Sequence, residues 1–230
     1  MKGAHPFSIS KALQFAFHTV VDHIILMLGI MATAGIINII RFGIAPAIFL
    51  LMSFFLYHAS YTPLTHPLWA LYSIKFFIGA FIVFFIFKLM DSVFSLGFSH
   101  IALLLYDNER ISYKDLFACT HLAIKHFIAS LLNACIVTLG LLFFIIPGII
   151  ALVRLGFFSY IIADKGLGPL AALQESYRLT TGITTQLLGV LLIIILLNSL
   201  GGALFGIGLF LTYPITVLLY AYIYRQLQGH

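Results

Sequence analysis

Nine histidines, seven carboxylates and two cysteines are the groups in this 230-residue chain that could ligate a metal or move a proton. Cys119, His121 and His126 form the densest set. Two ligands on one helix face must stand three or four residues apart. Here the intervals are two and five, and His18 and His23 repeat the interval of five. No metal centre and no cofactor is expected. Among Asp22, Asp91, Asp107, Glu109, Asp115, Asp164 and Glu175, the first two could meet as an acid/base pair. Lys88, one helical turn from Asp91, offers that carboxylate a plainer ion pair. The chain has no G-x-S-x-G, H-E-x-x-H, phosphate-binding loop or dinucleotide-binding glycine pattern. A membrane-embedded enzyme would need Asp22, Asp91 and His100 to converge around a water-filled cavity; the expectation is that the protein is not an enzyme.

The elements that carry these groups follow from composition. Hydrophobic residues make up 62% of the chain and charged residues 8%, with a mean hydropathy of +1.13. Soluble domains carry about 25% charged residues, so most of this surface must face lipid. That excludes a soluble enzyme, a disordered tail and a disulfide-framed secreted module. The net charge of +5 comes from cations placed singly at the ends of apolar runs rather than in clusters, which excludes nucleic acid as a partner. Cys119 and Cys135 are expected as free buried thiols, and no cleavable leader is read at the N-terminus.

A helix needs about 20 mostly apolar residues to cross the hydrocarbon core, and helices alone satisfy the backbone there without closing a barrel. The expected fold is an all-α polytopic transmembrane bundle with about six spans and one re-entrant or interfacial segment. Residues 1–230 form a single membrane domain in this reading, opening with an interfacial helix over 1–19. Residues 20–106 hold two spans, at 20–40 and 68–90, the latter continuing as helix to 106, with a re-entrant piece at 44–57. An inner loop over 107–121 leads to a hairpin at 122–163, turning at Pro147-Gly148 between helices at 122–146 and 149–163. An interfacial helix at 164–184 precedes a last hairpin at 185–230, turning at Gly201, Gly202, Gly206 and Gly208. The 46 uncharged residues of 179–224 are too many for one span and fit two.

With both termini inside, the inner segments hold Lys2, Lys11, Arg110, Lys114, Lys125, Lys165, Arg178 and Arg225, and the outer loops hold Arg41 alone. Ser8 is placed to cap the first interfacial helix, and Ser112 with Asp115 resembles a capping box. A third interfacial helix begins at Pro169 and stops before Gly182, with Leu170, Leu173 and Tyr177 as its apolar stripe. At a spacing of about 60 residues, Leu139-Gly140 aligns with Leu200-Gly201 and Tyr160 with Tyr220, a weak parallel repeat.

Three cations then stand apart. Arg154 lies seven residues beyond Pro147, about 10 Å of helix. Lys75 reaches a similar depth and Arg41 ends the first span. No carboxylate is expected near them. Arg154, with Lys75 and Arg41, is a candidate site for an anion entering from the outer side, such as a lipid phosphate, which a guanidinium grips with two parallel hydrogen bonds. The competing reading has Arg154 bonding backbone carbonyls near a broken helix, or Asn198, while Lys75 snorkels outward.

Pro147, Gly148, Arg154, Asp164, Ala172-Leu173, Ser176, Leu179 and Gly182, followed by Gly206-Ile-Gly208, Tyr213-Pro214 and Tyr222, occur in an order with a known parallel. Over about residues 95–226 the chain resembles bacterial multi-pass membrane proteins of unknown function related to the membrane domain of glycerophosphodiester phosphodiesterases. The resemblance implies a helical domain of the bacterial plasma (inner) membrane with both termini cytoplasmic, and it implies no activity. The expected function is a non-catalytic protein that binds or moves an anionic lipid or small solute. The alternative is a structural or assembly partner of a membrane complex. Membrane lipids, anionic ones included, are the expected partners; the sequence leaves a protein partner or a homo-oligomer open.

Overall fold

The computed structural model describes residues 7–33, 35–36, 43, 47–48, 50–51, 54, 68–203 and 208–229, with side chains described for all of these but 68–73 and 75–76. Its elements are α1 (Ile9–Asp22), α2 (Ile24–Thr33), α3 (Leu68–Tyr106), α4 (Ala123–Phe143), α5 (Ile145–Leu155), α6 (Phe158–Lys165), α7 (Pro169–Leu179), α8 (Thr184–Ala203) and α9 (Leu209–Gln228). Two short 3-10 turns, Tyr113–Phe117 and Thr120–Leu122, lead into α4. Every regular element among the described residues is helical, as the composition requires. The chain divides into two compact units, Met1–Met31 with Ser92–His230, and Ala32–Asp91.

Among the described residues, four stretches are apolar and long enough to cross a membrane: Phe77–Tyr106, Tyr113–Phe143, Ile145–Lys165 and Thr184–Ala203, with mean hydropathies of 2.0–2.1. A fifth is possible if α1 and α2, bent by 85° at their junction, count as one. Ser8 caps α1, its hydroxyl accepting from the Lys11 N–H at 3.5 Å, and Ala12, Ala16 and Val20 form the buried stripe that packs on α9. α9 has a span's length of 20 residues but is lowered in hydropathy by its tyrosines and Arg225. The expected piece at 44–57 and Arg41 lie largely or wholly outside the described residues.

In the unit formed by Ala32–Asp91, Phe77, Phe81 and Phe84 of α3 are exposed, and Lys88 pairs with Asp91 at 3.6 Å. In the other unit, the later part of α3 is buried through Leu96, Ile101 and Leu105.

The first hairpin turn departs from its expected position, and the second lies largely outside the described residues, between Ala203 and Gly208. The first falls at Phe144, in extended conformation, and α5 already begins at Ile145. Pro147 stands third in α5, where its missing N–H costs nothing, and Gly148 sits inside the helix. The reason is packing: a Cβ on Gly140 would lie 2.9 Å from the Gly148 Cα. In the second hairpin Gly201 and Gly202 belong to α8, and a Cβ on Gly208 would lie 2.7 Å from the Gly201 Cα. The glycines set how closely the paired helices approach. Gly140 and Gly148 stand 61 and 60 residues before Gly201 and Gly208, and Tyr160 stacks on Tyr220 with ring centroids 6.3 Å apart. The repeat read from the sequence therefore has matching contacts in space.

The stretch expected as a single helix at 149–163 is broken at Gly156-Phe157. Cys119 is buried as expected, but Cys135 is exposed on α4, on a surface suited to lipid. Gly148→Ala is predicted to destabilise the protein by about 1–3 kcal/mol through overpacking. Gly202→Ala, whose Cβ meets nothing within 4 Å, should be neutral or slightly stabilising; unfolding in mild detergent followed by circular dichroism compares the two.

Candidate functional site

Arg154 is the penultimate residue of α5, two before the break at Gly156-Phe157, and α7 closes that break. In an unbroken helix the Phe157 N–H would donate to the carbonyl four residues back. Instead it donates to the Ser176 hydroxyl oxygen at 3.2 Å. The same hydroxyl donates to the Arg154 carbonyl at 2.7 Å, and the Thr180 hydroxyl approaches that carbonyl at 3.3 Å. Ser176 and Thr180 are fully buried. They stand four apart, on one helix face.

The Arg154 side chain returns the connection. Its Nη2 donates to the Tyr177 carbonyl at 3.1 Å and to Thr181 Oγ1 at 2.7 Å. Its guanidinium carbon lies 3.5 Å from the centre of the Tyr177 ring. A cation at the C-terminal end of α7 meets the negative end of that helix's dipole, and over an aromatic face it gains the ring's quadrupole as well. Gly182, with φ of +90°, turns the chain from α7 into α8 in a conformation that L side chains rarely adopt. Arg154 therefore bonds a backbone carbonyl beside a broken helix. Asn198 instead bridges α8 and α9, donating to Thr216 Oγ1 and accepting from Thr212 Oγ1, both at 3.1 Å.

α7 packs against α4, α5 and α6, so it is more than a connection lying on the bundle's surface. Its buried face is Ala172, Leu173, Ser176 and Thr180. Of the expected stripe only Leu173 is buried; Leu170 and Tyr177 are exposed. The small and hydroxyl-bearing residues face inward because they alone fit between the crossing backbones and supply the groups the break lacks.

A second constellation gathers polar ends. Arg225 of α9 pairs with Asp107, just after α3, at 2.5 Å and with Asp164 of α6 at 2.9 Å. The Tyr224 hydroxyl donates to Asp164 at 2.9 Å, and Gln226 donates to the Tyr106 hydroxyl at 2.9 Å. The Arg225 side chain is only 12% exposed, so both carboxylates are needed to hold its charge. Nearby in the chain, Lys125 donates to the Gly166 carbonyl at 3.0 Å. Glu175 accepts from Lys165 at 3.2 Å and pairs with Arg178 at 2.8 Å. Burial alone would push the Glu175 carboxyl up, but those two cations outweigh it and hold it below its usual range. Ser112 and Asp115 form the expected capping contact, with the Ser112 N–H donating to Asp115 at 2.7 Å.

A third polar contact is inside the bundle. His126 of α4 lies 2.9 Å from Ser159 of α6 and 3.5 Å from Ser95 of α3, and stacks on Phe158. A serine–histidine pair can serve nucleophilic catalysis when a third group orients the ring. His126 Nδ1 is buried with no hydrogen-bond partner among the described residues. Both His126 and Ser159 are buried. The contact works as a polar tie between three helices.

Of the sequence candidates, Arg154 and Ser176 meet at the break, and Pro147 and Gly148 shape the hairpin above it. Gly182 follows α7, and Asp164 belongs to the Arg225 cluster. Lys75 lies in α3, with its side chain outside those described, and Arg41 is likewise outside the described residues. Among the described residues no three histidine, cysteine, aspartate or glutamate side chains gather as a metal site. The partners Thr180 and Thr181 were not singled out in the sequence, and Tyr177 was read only as part of an apolar stripe. Their only signal was hydroxyl-bearing residues four apart at 176 and 180. No family model, curated protein or solved structure matches the chain. The fold and these contacts define a helical bundle with membrane-compatible helices, braced by a short helix against a broken one.

Ser176→Ala is predicted to cost about 1–3 kcal/mol, the price of a buried donor left unpaired. Gln174→Ala, on the exposed face of α7, should fall within about 0.5 kcal/mol of the wild type; denaturant unfolding in detergent measures both.

Proposed function

We propose that the chain is a multi-pass protein of the bacterial inner membrane, with six membrane-embedded helical segments and both termini cytoplasmic. In this reading it makes and breaks no bonds, and holds anionic lipid at its cytoplasmic end. The observation that carries the reading is the sorting of charge. The cluster of Asp107, Asp164 and Arg225, the Lys125–Gly166 contact and the Glu175 pairs gather around the ends of α3, α6, α7 and α9 and the start of α4. Asp107, Asp164 and Glu175 are engaged there, while Arg110, Lys114 and Lys125 keep exposed side chains. Cations in such a belt attract anionic headgroups by about 1 kcal/mol each, and the same belt fits the inner side by the positive-inside rule. A relation of residues 95–226 to bacterial multi-pass membrane proteins is part of the same proposal; it would fit that location and supplies no activity.

Arg154 with Lys75 and Arg41 remains the other proposed seat for an anion, lipid or small solute; in it, the Arg154 guanidinium would act beyond the Nη2 bonds it gives α7. A second reading, a structural or assembly partner, draws on the internal use of Arg154, Ser176 and Asp164 in packing.

Purification in mild detergent followed by mass spectrometry of the retained lipid tests this. The wild type should retain anionic phospholipid, and the combined Arg110→Gln, Lys114→Gln, Lys125→Gln variant should retain several-fold less. Loss in Arg154→Gln alone would move the seat to Arg154. A stoichiometric protein companion with no anionic lipid would favour the assembly reading.

A further inference from the structure

The bend between α4 and α5 carries no polar side chain. Leu142, Phe143, Phe144, Ile145 and Ile146 follow one another there, each 70–77% exposed. Turns that meet water are built from Gly, Pro, Asn, Asp and Ser, whose backbones or side chains suit the reversal and its hydration. Five large apolar side chains splayed outward are the opposite choice.

The backbone of the bend is also largely closed on itself. The Phe144 N–H donates to the Gly140 carbonyl at 3.0 Å, and the Gly148 N–H to the Phe144 carbonyl at 3.4 Å. Pro147, in the first turn of α5, brings no N–H to leave unpaired. The close approach of Gly140 to Gly148 lets the chain reverse without a polar loop.

Length fixes the depth. Lys125, which donates to the Gly166 carbonyl at the polar end, stands 19 residues before Phe144. At 1.5 Å per residue that is about 28 Å of helix. The hydrocarbon core is about 30 Å thick, and the usual tilt shortens the reach further. A hairpin anchored by Lys125 at one headgroup layer therefore stops short of the other. The second hairpin repeats the design: residues 200–211 carry no charge, and Gly201 meets Gly208 as Gly140 meets Gly148.

We propose that the α4–α5 bend is a lipid-contacting surface whose five large side chains lie among the acyl chains of the leaflet opposite the polar end, so that the hairpin does not emerge into water there. The proposal rests on the reading of the protein as membrane-inserted, and not on headgroup binding at the polar end, which is read separately by retained lipid.

The full chain with Cys119→Ser and Cys135→Ser, carrying Phe144→Cys or Lys114→Cys, is reconstituted into phosphatidylcholine–phosphatidylglycerol vesicles. A membrane-impermeant maleimide is then given access to both faces by freeze–thaw. Lys114→Cys should label readily and Phe144→Cys at least tenfold more slowly. A second variant, Phe144→Trp with Trp69→Phe, should be quenched by lipids brominated on their acyl chains and not by aqueous iodide. Labelling of Phe144→Cys at the rate of Lys114→Cys, or iodide quenching of the tryptophan, overturns the proposal by placing the bend in water. Protection from both maleimide and brominated lipid overturns it too, by showing that protein covers the bend.

Discussion

A helix interrupted away from water leaves peptide groups that nothing in hydrocarbon can satisfy, and the arrangement of residues 123–203 follows from meeting that demand at Gly156-Phe157. Ser176 meets both sides of the interruption, accepting from the Phe157 N–H and donating to the Arg154 carbonyl. An unpaired amide there would cost about 1–3 kcal/mol, as much as a good packing contact contributes. For Ser176 to reach the break, α7 must pack into the groove among α4, α5 and α6 rather than lie on the surface. Its own C-terminal end then needs a cation, which Arg154 supplies through the Tyr177 carbonyl and ring. The two elements thus complete each other's backbone.

Several other polar groups obey the same rule at lower stakes. Asn198, Thr212 and Thr216 satisfy one another between α8 and α9. His126 ties to Ser159, and Arg225 is neutralised by two carboxylates from different segments. Polar side chains placed inside such a bundle are expensive unless paired, and here the pairs also choose which helices meet. Along the described helices the exposed surface is largely apolar.

How far the sequence disclosed this differs from element to element. The helical class, the continuous α3, the capping by Ser8 and the proline start of α7 were legible, because each rests on local chemistry or on a long apolar run. The turn at Phe144 was not. Pro147-Gly148 has the composition of a reversal, and only the neighbour across the hairpin reveals that Gly148 is needed for contact rather than for bending. The break at Gly156 was hidden for a related reason: residues 145–165 read as one apolar run, and the groups that make an interruption tolerable come from α7. Arg154 was visible as an unusual cation, with bonding to backbone near a broken helix as one of its readings. Its partners Tyr177 and Thr181 lie 23 and 27 residues away, beyond any pattern of period or spacing.

The central claim is that α7 supplies the hydrogen bonds missing from the broken helix. Amide hydrogen exchange at Phe157, resolved in lipid nanodiscs with the wild-type chain and with Thr180→Val and Ser176→Ala, bears on it most directly. The account predicts that Phe157 is protected in the wild type as strongly as the neighbouring helical amides. It predicts that Ser176→Ala selectively speeds its exchange, while Thr180→Val, which keeps the Ser176 hydroxyl, does so much less. Exchange at Phe157 as fast as at an open loop in the wild type, or unchanged by Ser176→Ala, would contradict it.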